Sequence, residues 1–321
     1  MLPLDVLKTF QRCIVHGNCP DGRASALIIH AALPGLPIAE MSYGTPEHRA
    51  LEPAPVLFCD FSPFVPPKSN PPTAADLAAR RAVLLKWAES GASILDHHDP
   101  ELVEPFGAMG VFGENSKGES GAALALREVL APIKGPERGF VGDGRWRDAV
   151  DFARFSAIRD TWRRDSTCWD TACSLAEVLR FLPLSECLER GIGGMTDLHA
   201  NIGPTLLDKK RDAAAEAAKN AVRLEAQRRK VAVIPSVSLT SDVSDVLPDA
   251  DIVAGFDYAQ EDGGNRIRLI VSLRGRKGVD VRVIAQRHGG GGHVAAAGFS
   301  LPVNAGTTLS PYYVIATALE S

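Results

Sequence analysis

Three short apolar segments in the first third of the chain constrain the fold more than any other feature. These segments, 12–15, 56–59 and 92–95, are separated by helical patterns at about 23–33 and 73–88. The second helical pattern opens on a capping box at 73–76. Short apolar strands that alternate with helices predict a parallel sheet with right-handed crossovers. We therefore predict an α/β domain in this part of the chain.

Acidic residues stand near the carboxyl end of each predicted strand. Asp21 lies in the turn after the first strand, Asp60 follows the second, and Asp96-His97-His98 follows the apolar run of the third. Parallel sheets bind ligands beyond the carboxyl ends of their strands, and carboxylates beside imidazoles suit a divalent cation of the Mn, Fe or Zn type. One such acid is common in a solvated loop, whereas acids after three successive strands favour a metal site.

The Asp-His-His segment allows two arrangements. In a continuing strand, Asp96 and His98 would share one face and His97 would lie on the other. A turn closed by Pro100 would instead bring all three side chains together. Asp160, at the end of a helical pattern over 148–158, is a fourth candidate acid.

The second part of the chain predicts a smaller α/β domain. An Ala-, Lys-, Glu- and Arg-rich stretch over 205–229 predicts one long exposed helix between domains. Strands are predicted at 231–234, 252–258 and 266–273, and a helix from about 281. We place the domains at 1–200 and 231–321, with 201–230 as the connecting helix.

A run of four glycines, 289–292, is the most distinctive feature of the second domain. Unshielded glycine amides can approach an anion closely, and neighbouring basic side chains would supply positive charge. The alternative is a flexible loop without a ligand. The candidate substrate-binding residues are Arg274, Arg287, His288, Gly290, Gly291, Gly292 and His293.

Composition limits the class of partner. The net charge of −4 over 321 residues gives no global basic field, so a nucleic-acid partner is expected to be short. Six cysteines without a Cys-x-x-Cys spacing predict neither a disulfide framework nor structural zinc. The first ten residues lack the apolar stretch of a signal peptide, and no segment has the length of a membrane span. We expect a cytoplasmic protein with no membrane partner, and the sequence leaves a homodimer open.

Three features of the chain occur in this order: acids at the ends of the first strands, Asp96-His97-His98, and far downstream Gly290-Gly291-Gly292-His293. In these features the chain resembles the DHH phosphoesterase superfamily in its DHH plus DHHA1 arrangement. The resemblance covers nearly the whole chain. It implies a parallel-sheet DHH domain joined by a long helix to a smaller α/β DHHA1 domain. The motif order also agrees: 16–22 as the first motif, Asp60 as the second, 96–98 as the third and Asp160 as the fourth.

The resemblance implies a site for two Mn²⁺ or Mg²⁺ ions. Asp21, Asp60, His97 and Asp160 would form one site, and His16 with Asp60 would contribute to the other. Relatives commonly carry Asp-x-Asp in the first motif, and here the earlier acid is replaced by Cys19. Either Asn18 or Cys19 takes a weaker ligand role, or the first ion is held by His16, Asp60 and water alone. Binding of one ion or of two stays open.

The chemistry implied is hydrolysis of phosphodiester bonds in short single-stranded oligonucleotides or dinucleotides. Two cations about 4 Å apart, bridged by Asp60, would activate water. His98 would contact the scissile phosphate or protonate the leaving oxygen. The candidate catalytic residues are His98, Asp60 and Asp96. The family also suggests a phosphatase of adenosine bisphosphate or a cyclic-dinucleotide phosphodiesterase. A non-catalytic nucleotide-binding module with a degraded first metal site is the alternative from another class. Pyrophosphate hydrolysis is disfavoured by the glycine-rich second half.

Overall fold

The computed structural model describes residues 2–64, 73–134, 145–260, 267–276, 278–303 and 310–320, without the side chains of Arg145 and His293. The chain divides into two compact units, with the boundary between Leu207 and Asp208. Residue 266, the predicted start of a strand, lies outside the described residues. No helix in the described ranges is long and apolar enough to cross a membrane.

The first unit is built on a five-stranded parallel sheet. Its strands are β1 (Arg12–His16), β2 (Ile38–Met41), β3 (Val56–Cys59), β4 (Ser93–Asp96) and β5 (Gly110–Phe112), in the order β2-β1-β3-β4-β5. The prediction of an α/β domain on a parallel sheet is confirmed. The three predicted strands are the central ones, in register through Ile14, Phe58 and Ile94.

Helices cover both faces of this sheet. They are α1 (Leu4–Leu7), α2 (Pro20–Ala32), α3 (Pro46–Arg49), α4 (Ala74–Glu89), α5 (Pro100–Val103), α6 (Gly121–Ala125), α7 (Ala131–Lys134), α8 (Arg145–Asp160) and α9 (Trp169–Phe181). One face buries Val15 and Leu95 against α2, and the other buries Phe58 against Trp87 of α4. Alternating burial on two faces explains why the central strands are continuously apolar.

Helix α2 begins three residues earlier than predicted. Pro20 occupies its first position, where the missing N–H costs nothing, and Cys19 is the N-terminal cap residue. Asp21 therefore lies in the first turn of the helix and not in the preceding loop. This placement fixes its carboxylate at the edge of the sheet.

The predicted connecting helix is wrong at both ends. Helix α10 runs over Leu184–Lys219, with a break at Gly191 where φ is 62° and ψ is −177°. The chain then forms strand β6 (Val222–Ala226), which pairs antiparallel with β7 (Arg229–Ile234). Gln227 and Arg228 both have positive φ, as a tight hairpin turn requires. The alternating pattern of β6, with Ala226 buried, outweighs the helix propensity of its charged residues.

The second unit contains a mixed six-stranded sheet. It adds β8 (Ile252–Gln260), β9 (Ile267–Gly275), β10 (Gly291–His293) and β11 (Ala296–Val303), in the order β10-β11-β9-β8-β7-β6. Among the described strand pairs of this second sheet, only β7–β8 is parallel. The accompanying helices are α11 (Thr240–Val246), α12 (Val281–Arg287) and α13 (Pro311–Glu320). The prediction of a smaller second α/β domain is confirmed.

Candidate metal centre

Asp60 is the central side chain at the carboxyl edge of the parallel sheet. It directly follows β3, and its backbone N–H donates to Leu95 O at 2.9 Å. Its φ of 57° is left-handed, which costs an L-residue on the order of 1–3 kcal/mol and persists only where the surroundings enforce it. The side chain is 1% exposed. The fold thus holds a buried carboxylate in a strained conformation at the place where parallel sheets bind ligands.

Three imidazoles surround the Asp60 carboxylate. Its Oδ1 lies 3.1 Å from His97 Nε2 and 3.7 Å from His98 Nδ1, and its Oδ2 lies 3.8 Å from His16 Nδ1. His16 ends β1, whereas the two adjacent histidines follow β4 in a bend. Their ring centroids lie 4.3 Å apart. The turn after β4 therefore gathers both imidazoles beside Asp60, the second of the two predicted arrangements.

A second group joins Asp21, His97 and Asp160. His97 Nε2 lies 4.0 Å from Asp21 Oδ2 and 3.4 Å from Asp160 Oδ2. Asp160 is the last residue of α8, so three different elements supply this group. The candidate ligands of each group have donor atoms within 4.8 Å of one another. The structure brings together the four residues predicted to form the better-preserved metal site.

Two serines that the sequence analysis missed hold Asp21 in place. Asp21 Oδ1 accepts hydrogen bonds from Ser120 Oγ at 2.7 Å and Ser156 Oγ at 2.6 Å, and from the backbone N–H of Ala122 at 3.2 Å. Its Oδ2 is buried without a hydrogen-bond partner among the described residues. One oxygen is therefore fixed by the protein and the other is left for a ligand.

Asn115 holds the side chain of His97 in place in the same way. Its Oδ1 lies 2.6 Å from His97 Nδ1, so this ring nitrogen donates and Nε2 faces the carboxylates. Hydrogen bonds of this kind orient metal-binding histidines and raise their basicity. The sequence analysis did not identify Asn115, which lies in a polar turn after β5 with no motif of its own.

Asp96 contacts His98 and its own turn. Its Oδ1 accepts from the backbone N–H of His98 at 2.7 Å and lies 3.2 Å from His98 Nδ1. Asp96 is completely buried, whereas the His98 side chain is 37% exposed. The structure therefore places Asp96 behind His98, where it orients the imidazole, and places His98 at the surface of the site.

Two residues of the first predicted motif, His16 and Cys19, form a third group with Asp60. Cys19 Sγ is close enough to the other two donors to share a cation with them. Burial, followed by the charges of Asp60, Asp21 and Asp160, raises the pKa of Cys19 well above its ordinary value. Asn18 shapes the turn with a φ of 57°. The thiol is therefore neutral and would be a weak ligand for a cation.

Cys19→Asp is expected to lower the Mn²⁺ concentration for half-maximal activity by about tenfold, because a carboxylate is a harder and more strongly charged ligand than a thiol. A metal titration of the hydrolysis rate measures this. Cys19→Ser is the control, since it removes the thiol without adding a charge. An unchanged or raised Mn²⁺ requirement in Cys19→Asp would show that the side chain faces away from the cation or that the thiol already serves.

The protein groups alone hold protons at the positions where a cation would bind. Burial opposes protonation of His97, but its hydrogen bond to Asp60 and three nearby acids raise its pKa to about 10. Burial, with the charges of Asp21 and Asp60, raises the pKa of Asp160 to about 7. Burial would raise the pKa of Asp60, but hydrogen bonding to His97 lowers it. The cluster is thus electrostatically poised to exchange a proton for a metal ion.

Mn²⁺ binding is expected to release about one proton at about pH 8, because His97 must lose its Nε2 proton to act as a ligand. Asp160, with a pKa of about 7, is mostly ionised at that pH. The apparent affinity should therefore rise about tenfold per pH unit between about pH 8 and 9. Calorimetric titrations in two buffers of different ionisation enthalpy count the protons. An identical heat of binding in both buffers would contradict this assignment.

The donor set fits a divalent cation. Asp21 Oδ2 and Asp60 Oδ2 are buried and have no hydrogen-bond partner among the described residues, which is costly unless a ligand satisfies them. Carboxylate oxygens with imidazole nitrogens match the preferences of Mn²⁺ and related ions. These groups could therefore bind a metal ion.

The glycine run of the second unit lines a separate pocket. Gly291–His293 form strand β10, which corrects the prediction of a loop. A Cβ at Gly290 would lie 2.1 Å from Gly298 O, so this close backbone approach requires glycine. Arg274 also lines the pocket and donates to Ser241 Oγ at 2.8 Å. The pocket residues from the predicted set are Arg274, Gly290, Gly291 and Gly292.

Two of the other predicted substrate-binding residues, Arg287 and His288, lie outside this pocket. His288 Nε2 lies 2.8 Å from Ala318 O, and its ring centroid lies 4.7 Å from that of Phe299. Arg287 ends α12 and is not among the residues that line the pocket. The side chain of His293 lies outside the described part of the chain.

Residues 243–309 match the DHHA1 domain family. No curated protein is significantly similar to the chain. Among solved structures, an uncharacterized protein from Helicobacter pylori G27 is 15% identical with a TM-score of 0.41, and the match covers 96% of this chain and 97% of that one. The pGpG-specific phosphodiesterase PggH from Vibrio cholerae is 14% identical with a TM-score of 0.47, over 91% of this chain and 94% of that one.

Proposed function

We propose that this chain joins a DHH domain to a DHHA1 domain and is a metal-dependent phosphoesterase acting on phosphodiester bonds of short oligonucleotides or dinucleotides. The observation that carries the proposal is the shared position of Asp60. This carboxylate belongs both to the group with His16 and Cys19 and to the group with His97 and His98. A carboxylate between two clusters of donors is the arrangement that a two-ion centre needs.

The proposed ligands are Asp21, Asp60, His97 and Asp160 for one ion, and His16, Asp60 and Cys19 for a weaker second one. Bound Mn²⁺ or Mg²⁺ would supply a Lewis acid that polarises a phosphoryl oxygen and lowers the pKa of water. The protein contributes rigidity. The serines fix Asp21, Asn115 fixes His97, and the backbone strain at Asp60 is held by its buried surroundings.

His98 is the proposed proton donor. Burial opposes its protonation, but the hydrogen bond to Asp96 and the charge of Asp60 raise its pKa to about 9. In the absence of a bound cation the imidazole is therefore protonated at neutral pH, and it is partly exposed at the mouth of the site. In that state it can donate to a phosphate oxygen or to the leaving oxygen of the ester.

The charge distribution favours a short substrate. The net charge of −4 provides no long basic track, and the glycine pocket of the DHHA1 domain is limited in extent. The pocket lined by the glycine run and by Arg274 would receive one phosphate or nucleotide, with the Arg274 guanidinium as its positive charge. The alternatives within the same chemistry are a phosphatase of adenosine bisphosphate and a cyclic-dinucleotide phosphodiesterase.

A substrate panel tests the proposal. The purified protein is incubated with labelled di- to decanucleotides of RNA and DNA, adenosine bisphosphate and cyclic dinucleotides, with Mn²⁺, with Mg²⁺ or with chelator. We expect metal-dependent hydrolysis that is fastest on the shortest linear oligonucleotides. Binding of these compounds without hydrolysis of any of them would contradict the proposal and support a non-catalytic nucleotide-binding module.

A further inference from the structure

A cluster of arginine and tryptophan side chains lies directly after Asp160, outside the metal centre. The arginine–tryptophan turn, residues 159–164 together with Trp169, contains Arg159, Trp162, Arg163 and Arg164. The Trp162 and Trp169 ring centroids lie 6.0 Å apart. Arg159 Cζ lies 4.3 Å and Arg164 Cζ 4.7 Å from the Trp162 ring centroid, within the range of cation–π attraction.

The turn exposes these groups. Trp162 is 38% exposed, and Arg163 and Arg164 are also exposed. Large aromatic residues that remain at a surface beside cations are typical of binding sites for single-stranded nucleic acid. The segment 159–165 has three arginines against two aspartates, one of which is the proposed ligand Asp160. It is a local basic patch in a chain whose net charge is −4.

Backbone strain fixes the position of the indole. Trp162 has a φ of 54°, which is unfavourable for a bulky residue, and the turn is held by Arg163 N–H to Ile158 O at 3.0 Å. Thr161 Oγ1 also donates to Ala157 O at 2.6 Å. An exposed indole held in a strained turn two residues after a proposed ligand is a rigid surface at a defined place beside the metal centre.

Arg163 supplies a cation that none of the described residues neutralises. Its guanidinium makes no ion pair with any residue that the structure describes, and it lies against Gly118, where a Cβ would be 2.5 Å from Nη1. Gly118 caps the same short turn that presents Asn115 to His97. The unpaired charge therefore lies beside the turn that supports the metal centre.

We propose that the arginine–tryptophan turn binds the nucleotide flanking the scissile phosphate, with its base stacked on Trp162 and its backbone phosphate at Arg163. This inference rests on the proposed phosphoesterase function, and it assigns to Trp162 and Arg163 the selection of the substrate. Stacking requires an unpaired base, so the turn favours single strands over duplexes without reading their sequence. The phosphate contact favours substrates with a further phosphate next to the cleaved bond.

The test compares a normal dinucleotide with one in which the flanking nucleotide is abasic. Trp162→Ala is expected to lower kcat/KM about tenfold on the normal dinucleotide, the effect typical of one stacked base, and to leave the abasic one unchanged. Trp162→Phe retains a ring and should keep most of the activity. The losses of kcat/KM caused by removing the base and by removing the indole should therefore be non-additive, as expected for two groups in contact.

Arg163→Ala tests the phosphate contact. It should raise KM about tenfold on a dinucleotide whose flanking nucleotide carries a terminal phosphate, and reduce the slope of log affinity against log salt by about 0.7, the value for one phosphate contact on a single strand. Arg180→Ala is the matched control, because Arg180 is exposed in the same unit and paired with Glu177. Mn²⁺ affinity, measured by calorimetry, should not change in any of these variants.

Three results would overturn the proposal. Equal losses on normal and abasic substrates, or weaker Mn²⁺ binding in Trp162→Ala, would show that the turn supports the fold or Asp160. Unchanged activity in both variants would show that no nucleotide binds there. If the wild-type protein hydrolyses no substrate, the proposed function fails, and fluorescence anisotropy of a labelled tetranucleotide with the same variants still decides whether the turn binds nucleic acid.

Discussion

Asp60→Asn is expected to lower Mn²⁺-dependent phosphodiester hydrolysis by at least about a hundredfold, since loss of an outer-sphere partner alone typically costs about 10- to 100-fold. The substitution keeps the size of the side chain and removes the charge that lies among three imidazoles. It should also weaken metal binding, because Asp60 belongs to two of the three candidate ligand groups. Initial rates on a labelled dinucleotide and a calorimetric Mn²⁺ titration measure both effects.

Asp151→Asn is the matched control for this experiment. Asp151 lies on α8 with Asp160, but it is paired with Arg154 at the surface and belongs to none of the candidate ligand groups. Its loss should leave activity within about twofold, because exposed ion pairs contribute little. Full Mn²⁺-dependent activity in Asp60→Asn would contradict the assignment of the metal centre.

Gly121→Ala is expected to disturb the same metal centre by steric overlap with its carboxylates. A Cβ at this position would lie 2.6 Å from Asp60 Cβ and 2.8 Å from Asp21 Oδ2, so one or both carboxylates must move. Overpacking of this kind costs about 1–3 kcal/mol of stability. Misplacement of reacting groups by about 1 Å costs on the order of a hundredfold in rate, so the activity should fall more than the stability does.

Gly193→Ala provides the comparison, because nothing lies within 4 Å of a Cβ at that helical position. Alanine there should stabilise the protein by about 0.5–1 kcal/mol through its better helix propensity. Thermal unfolding and dinucleotide hydrolysis are measured on both variants. Wild-type activity in Gly121→Ala would mean that the carboxylates are not held in the geometry described.

The central strands of the first unit could be predicted because they are buried on both faces. β1, β3 and β4 are short apolar runs, and each leads into an acid or histidine at the same edge. β2 and β5 were not predicted, because their hydrophobic pattern is weak. Both strands lie at the edges of the sheet, and their residues are mostly half-buried. The end of α10 was missed for a related reason: β6 is an exposed edge strand with charged residues.

The candidate ligands were predicted from motifs, but the residues that orient them were not. Ser120 and Ser156 contact Asp21 across 99 and 135 residues of sequence, and Asn115 contacts His97 across 18. Such contacts depend on tertiary packing, and single Ser and Asn residues carry no periodic signal. The contact between Trp162 and Trp169 could not be predicted for the same reason, because it depends on the fold of the turn between them.

The most direct test of the metal centre is anomalous diffraction from crystals of the protein soaked in Mn²⁺. We predict an anomalous peak within ligand distance of Asp21, Asp60, His97 and Asp160, with a weaker second peak between His16 and Asp60. The same soak of Asp60→Asn should lose the peaks. Mn²⁺ bound only at exposed acids, with the Asp60 cluster unoccupied under conditions in which the protein is active, would contradict the account.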